Sequence, residues 1–381
     1  MSRRVVIAGV ALSDVGRVDN MGPFALHAQA ARRALADAGL KPSDIDGFCS
    51  AGMGALQPIE IAEYLGIRPR WMDSTSPGGA CWEVMAAHAA DAIAMGHAEC
   101  VLLAYGSTAR ADIKKKLRGA GLDWGSRGAL SFEVPFGHTL ISKYAMAARR
   151  HMHQYGTTIE QLAEVAVSAR ANAALNPEAF YRDPITIDEV LSGPMLADPF
   201  TKLHCCIRSD GGCAVVMVPE DRICDLPKPP VWVLGTGEFG SHVSMSQWDD
   251  FTVSPAAVSG RLAFERAGIK PSEIDVAQVY DAFTYMLLVS LEDLGFCPKG
   301  EGGRFVENGR LRIGGELPTN TDGGGLSACH PGLRGMFLIV EAVKQLRGEC
   351  GERQVNDAKL ACVSGSGGWF CSSGTMILGR D

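Results

Sequence analysis

The chain has 381 residues, 46% of them hydrophobic and 21% charged, and a formal net charge of −7. This is the balance of a folded globular protein; the acidic surplus with no long basic run argues against a general nucleic-acid binder. No apolar run reaches the roughly 18 residues of a membrane span, so neither nucleic acid nor membrane is an expected partner.

The length exceeds one ordinary domain and predicts two, or one large layered body. Arg3 and Arg4 lead directly into the strand-like VVIAGVAL with no charged-then-apolar leader, so the expected location is the cytoplasm. There the twelve cysteines are expected as thiols rather than disulfides. Neither a Cys-x-x-Cys pair nor a His/Cys group at metal-ligand spacing is present, so no metal site and no bound cofactor are expected.

In chain order, residues 4–11 predict a strand, 24–39 a helix and 45–50 a short strand, the start of an alternating α/β pattern. Residues 73–96 (DSTSPGGACWEVMAAHAADAIAMG) form the centre of the chain: a small-residue turn running into a helix apolar on nearly every side, which must be buried. A Gly-Gly turn at a helix N-terminus presents unpaired N–H groups and the positive end of the dipole, suited to an anionic or thioester oxygen. Cys100–Tyr105 reads as a buried strand. The cluster Lys114–Lys116 reads as a solvated face, with phosphate contact the alternative.

Residues 136–172 predict helix broken at Gly156 and Thr157, followed by a proline-punctuated stretch that walls a pocket. With its flanks this gives a loop-rich cap over about residues 110–200. LHCCIRSDGGCAVVMV then turns into a strand.

An internal repeat organises the whole. Ala38–Asp46 reads AGLKPSDID and Ala267–Asp275, 229 residues later, reads AGIKPSEID, with seven of nine positions identical. Each copy lies between an amphipathic helix and an apolar strand, which predicts two homologous halves, 1–225 and 230–381, divided at DLPKPP.

In the second half, Tyr280 and Asp281 stand where a strand ends. The glycine-rich stretch 320–335 presents His330, fixed by Pro331, and SGSGGWFCSSG makes a second glycine-rich turn. His330 at an accessible tip with a near-neutral pKa suits general acid/base chemistry; the alternative is a histidine that only bonds its own loop. Tyr280 could donate a proton or serve as a hydrogen-bonding core tyrosine. No Walker or dinucleotide fingerprint is present.

The duplicated halves, SDGG at 209–212, GGG…HPG at 323–332 and the closing SGSGG resemble the thiolase superfamily over essentially the whole chain, above all the sterol-carrier-protein-type thiolases. The resemblance implies an α/β, five-layer αβαβα fold with pseudo-twofold halves, a homodimer core and an acyl-CoA thioester as substrate. It also implies that the nucleophilic cysteine stands 17 residues before Gly96, where this chain has Gly79. Cys81 is two residues off, and shifting it into place would rotate the helix by about 200°. Where the sterol-carrier-protein type has His-Asp-Cys-Phe, this chain has Tyr280-Asp281-Ala282-Phe283.

Both thiols are thus replaced while His330 stays. The Tyr-Asp-x-Phe form resembles the steroid side-chain aldolases of the superfamily, which cleave β-hydroxyacyl-CoA without a cysteine and work with a separate small subunit carrying an OB fold and a zinc ribbon.

Three functions follow. The first is a retro-aldol lyase with Tyr280 and His330 exchanging the proton and N–H groups near Gly79 or Gly367 holding the enolate oxygen. The second is a thiolase (acyltransferase) in which Cys81, its pKa depressed at the helix N-terminus, accepts the acyl group. The third is a non-catalytic acyl-CoA-binding subunit. Asp281, Cys329 and His138 complete the expected substrate-binding set.

Overall fold

The computed structural model describes residues 3–114, 128–137 and 139–380, apart from positions 53 and 55. His138 and the Lys114–Lys116 side chains therefore lie outside the described residues. In chain order the first half runs β1 (Val5–Leu12), α1 (Pro23–Ala38), β2 (Gly47–Cys49), α2 (Ile59–Leu65), β3 (Trp71–Asp73), α3 (Cys81–Ala94), β4 (Val101–Ser107) and α4 (Ala109–Lys114). The cap carries α5 (Leu140–Tyr155), α6 (Ile159–Ala174), α7 (Ile187–Leu191) and a small hairpin, β5 (Met195–Ala197) and β6 (Phe200–Thr201); β7 (Gly211–Pro219) follows. The second half runs β8 (Val231–Gly240), α8 (Ala256–Ala267), β9 (Val276–Val279), α9 (Thr284–Asp293), α10 (Gly302–Phe305), α11 (Gly335–Arg347), β10 (Leu360–Gly367) and β11 (Ser372–Gly379).

The large sheet has the strand order β3-β2-β4-β7-β1-β8-β11-β10-β9. Read outward from the β1–β8 seam, β7, β4 and β2 on one side answer β11, β10 and β9 on the other, and β3 is an extra strand at the first half's edge. Helix α1 covers the outer face of β1, β7 and β4, and α8 covers that of β8 and β11. Helices α3 and α11 touch each other and strands of both halves. They form the middle of five layers, as expected from the sequence.

The repeat has a physical job in each half. Gly39 and Gly268 end α1 and α8 in the left-handed region (φ 70° and 68°), where a glycine costs least. Asp44 and Glu273 then accept the backbone N–H of Lys41 and Lys270, both at 2.8 Å. The closing aspartates pin the strand that will lie beside the one they precede: Asp46 accepts from the N–H groups of Glu99 and Cys100, and Asp275 from those of Lys359 and Leu360. These two pairs stand just before β4 and at the start of β10.

Helix α3 is buried along nearly its whole length, including Cys81, Trp82, Met85, Ala86, Ala89 and Ile93. A helix apolar all round can only sit in an interior, which is why it occupies the middle layer. No helix among the described residues is long and apolar enough to cross a membrane.

Replacing Asp275 by alanine leaves two strand-start N–H groups without their acceptor. The expected loss is about 1–3 kcal/mol of unfolding free energy, read by denaturant titration, and Asp46→Ala should lose a similar amount.

Candidate active site

The site lies where the turn before α3, the end of β9 and the glycine-rich stretch before α11 meet. Gly78 takes φ 79° and packs on Gly367: a Cβ at Gly78 would come within 2.7 Å of Gly367 Cα, and one at Gly367 within 1.7 Å of the Pro77 carbonyl oxygen. The two glycine turns therefore touch backbone to backbone, which no larger residue permits. Gly79 faces Tyr280, and a Cβ there would meet the phenol ring at 2.5 Å. The place where the resemblance puts a nucleophilic thiol is filled by the Tyr280 ring.

Tyr280 is buried and held at its hydroxyl, which donates to the Gly332 carbonyl at 3.0 Å and accepts from the Arg334 N–H at 3.2 Å. Burial pushes its pKa well above the ordinary phenol value, so it is a neutral donor. His330 stands edge-on to it, the ring centroids 5.6 Å apart and the planes at 90°.

The expectation of a near-neutral histidine does not hold: burial, helped by the Arg334 charge, pushes the pKa of His330 down to about 3. The ring is the neutral base form, and its Nε2 has no hydrogen-bond partner. The loop that carries it is no free tip. Gly324–Ala328 forms a wide helical turn, and Ser209 accepts the His330 N–H at 2.9 Å.

Asp281 has both oxygens engaged, by Gly325 N–H at 2.7 Å and Leu326 N–H at 3.2 Å. Burial raises its pKa to about 7, against the nearby Arg334 charge. It shapes the histidine loop and has no oxygen turned to a substrate. Cys329 is likewise internal, its Sγ 3.1 Å from Ser209 Oγ and its thiol pushed up to about 12 by burial.

Cys81 requires a second correction. Its side chain is fully buried in the core, and burial, with Glu83 adding to it, raises its pKa well above the ordinary thiol value. The helix N-terminus does not depress it, because desolvation of a thiolate outweighs a dipole worth about 1 kcal/mol.

Two positioning groups escaped the sequence reading. Tyr105, at the end of β4, donates to the Pro331 carbonyl at 2.7 Å and accepts from Leu333 N–H at 3.1 Å. It grips the histidine loop from the first half as Tyr280 does from the second. Arg334 is fully buried; it bonds both oxygens of Asp322 at 2.8 and 2.7 Å and the Cys329 carbonyl at 2.6 Å. The signal for Tyr105 is only a polar ring closing an apolar run, which most core strands could show.

The layered architecture and this meeting of glycine turns with a tyrosine and a histidine are those of a thiolase-like enzyme. A family model described as thiolase C-terminal domain-like matches residues 237–380. A steroid side-chain-cleaving aldolase of Thermomonospora curvata is 36% identical over 98% of this chain and 97% of its own length. An acetyl-CoA acetyltransferase of Methanothermobacter thermautotrophicus is 33% identical over 99% of this chain and its entire length. The solved Ltp2-ChsH2(DUF35) aldolase superposes with TM-score 0.90 at 35% identity, covering 99% of this chain and 98% of that one. The chain belongs to the thiolase superfamily, on its aldolase-like side, and it is an enzyme.

Truncating Asp281 to alanine removes the acceptor of two buried N–H groups and one of the carboxylates facing Arg334. We expect about 3–5 kcal/mol of lost stability, seen as a lower unfolding midpoint.

Proposed function

We propose that this protein cleaves a β-hydroxyacyl-CoA by a retro-aldol reaction. Neutral His330 takes the proton of the β-hydroxyl, and the Cα–Cβ bond breaks as the β-carbon becomes a carbonyl. The bonding pair passes into the thioester enolate. Its oxygen would lie against N–H groups at the Gly78–Ala80 turn or at Gly367, since the first N–H groups of a helix have no partner within it. Tyr280, a neutral phenol beside the histidine, gives its proton to the α-carbon to release acyl-CoA and regains one from protonated His330, which resets both groups. Asp281 and Cys329 serve by holding the histidine loop rather than by touching substrate.

The observation that carries this reading is the Tyr280 ring occupying the space beside Gly79. A covalent acyl-enzyme there has no atom to form on. The thiolase alternative would need Cys81, and its complete burial speaks against it. A non-catalytic binding subunit would have no need of an aligned donor and base.

Because the Thermomonospora relative is named for steroid side-chain cleavage, steroid side-chain β-hydroxyacyl-CoAs are the first substrates to assay. The Ltp2-ChsH2 structure is a complex with a DUF35 protein, and we propose a comparable small partner, of OB-fold and zinc-ribbon type, for this chain. A homodimer core is part of the proposal, as is a cytoplasmic location. The end strand β3 pairs only with β2 among the described residues, which suits a second copy.

Tyr280→Phe and His330→Ala are each expected to lower kcat/KM for cleavage by about 100-fold or more, while Cys81→Ala stays within about threefold. The product carbonyl compound and acyl-CoA are followed by chromatography. A fall for Cys81→Ala as deep as for Tyr280→Phe, together with an acyl adduct on Cys81 by mass spectrometry, would establish the thiolase instead.

A further inference from the structure

Glu83 stands in the first turn of α3, four residues after Gly79, with 1% of its surface exposed. Neither carboxyl oxygen has a hydrogen-bond partner. The carboxyl fills a gap between Gly335, which opens α11, and Gly365 of β10: a Cβ on these glycines would come within 2.4 and 2.1 Å of Oε2. Gly374 of β11 packs on its Cβ. The Gly79 carbonyl borders the same gap, since the Cβ on Gly335 would reach it at 2.5 Å. Three strand and helix positions have thus given up their side chains around one acid.

A buried carboxylate without partners is costly, whereas the neutral acid carries one O–H donor. Burial raises the pKa of Glu83 to about 8, so the acid persists at neutral pH. The titratable groups that feel it are thiols, Cys81 on its own helix and Cys213 on β7. From α11, Arg334 turns its guanidinium to Asp322 and Asp281. β10 and β11 face it with glycines.

We propose that Glu83 is a positioning residue: its neutral carboxyl, which has no partner in the structure, turns its one O–H across the shared gap to the Gly79 carbonyl and so fixes the turn whose N–H groups receive the thioester oxygen. Ionisation replaces the donor with a negative charge beside a carbonyl, and the turn is released. This rests on the role given to the turn in the proposed cleavage. It adds a protonation-dependent support that neither Tyr280 nor His330 supplies.

The test compares the intact protein with its Glu83→Gln variant, which keeps a donor at every pH. Infrared spectra of the unliganded protein should show a carboxylic acid band at neutral pH that titrates away near the stated value and is missing from E83Q. Calorimetric affinity for acetyl-CoA, which has no β-hydroxyl and cannot be cleaved, should fall about tenfold in wild type between about pH 7 and pH 9 and by less than about twofold in E83Q. The ratio of cleavage rates at those two pH values should change in the same sense. An equal fall in both proteins, or the absence of the acid band, overturns the proposal. Absent cleavage with the band and the pH-dependent binding in place would overturn the function and leave Glu83 its role.

Discussion

The buried guanidinium of Arg334 is the constraint on which the site depends. It is fully buried, with Asp322 bonded to it on one side and the Asp281 carboxyl 3.7 Å from its Nε on the other. Asp281 in turn holds the Gly325 and Leu326 amides, so a single cation fixes both ends of the turn that aims His330. Breaking such a buried pair from one side costs about 3–5 kcal/mol, which makes the arrangement close to all-or-none. The same charge adds to burial in holding the histidine in its base form.

The histidine loop belongs to the second half but is built by both. Tyr105 from β4 and Tyr280 from the end of β9 take alternate peptide groups between Pro331 and Arg334. The 205–209 segment adds backbone bonds from Cys206 to Ala282 and from Ile207 to Gly325. A pseudo-twofold fold places the strand ends of both halves at its centre, and a site assembled there takes its precision from two scaffolds rather than one.

Much of the fold was legible in the sequence because its signals are local. The repeat at residues 38–46 and 267–275 marked the two halves, and its Gly and Asp positions do in the structure what short-range chemistry requires of them. The all-round apolar character of residues 81–94 placed α3 in the middle layer. Tyr280 and His330 stood out because each closes a recognisable pattern. What stayed hidden depends on burial, which one chain of letters does not show: the thiol of Cys81 pushed up, the imidazole of His330 pushed down, and Glu83 set among glycines more than 250 residues away in sequence. Tyr105 was hidden for a related reason, since its partners lie in the other half.

The seam between β1 and β8 ties the two halves to each other. Beyond two ladder pairs it is locked by Arg347, which reaches from the end of α11 to Asp37 and to the Ala8 carbonyl. The apolar helix α3 rests on β10 and β11 of the second half as well as on β4 and β7 of the first. A first half folded without the second would therefore leave one side of this apolar helix uncovered. A partly folded chain with such apolar surface exposed is prone to aggregate.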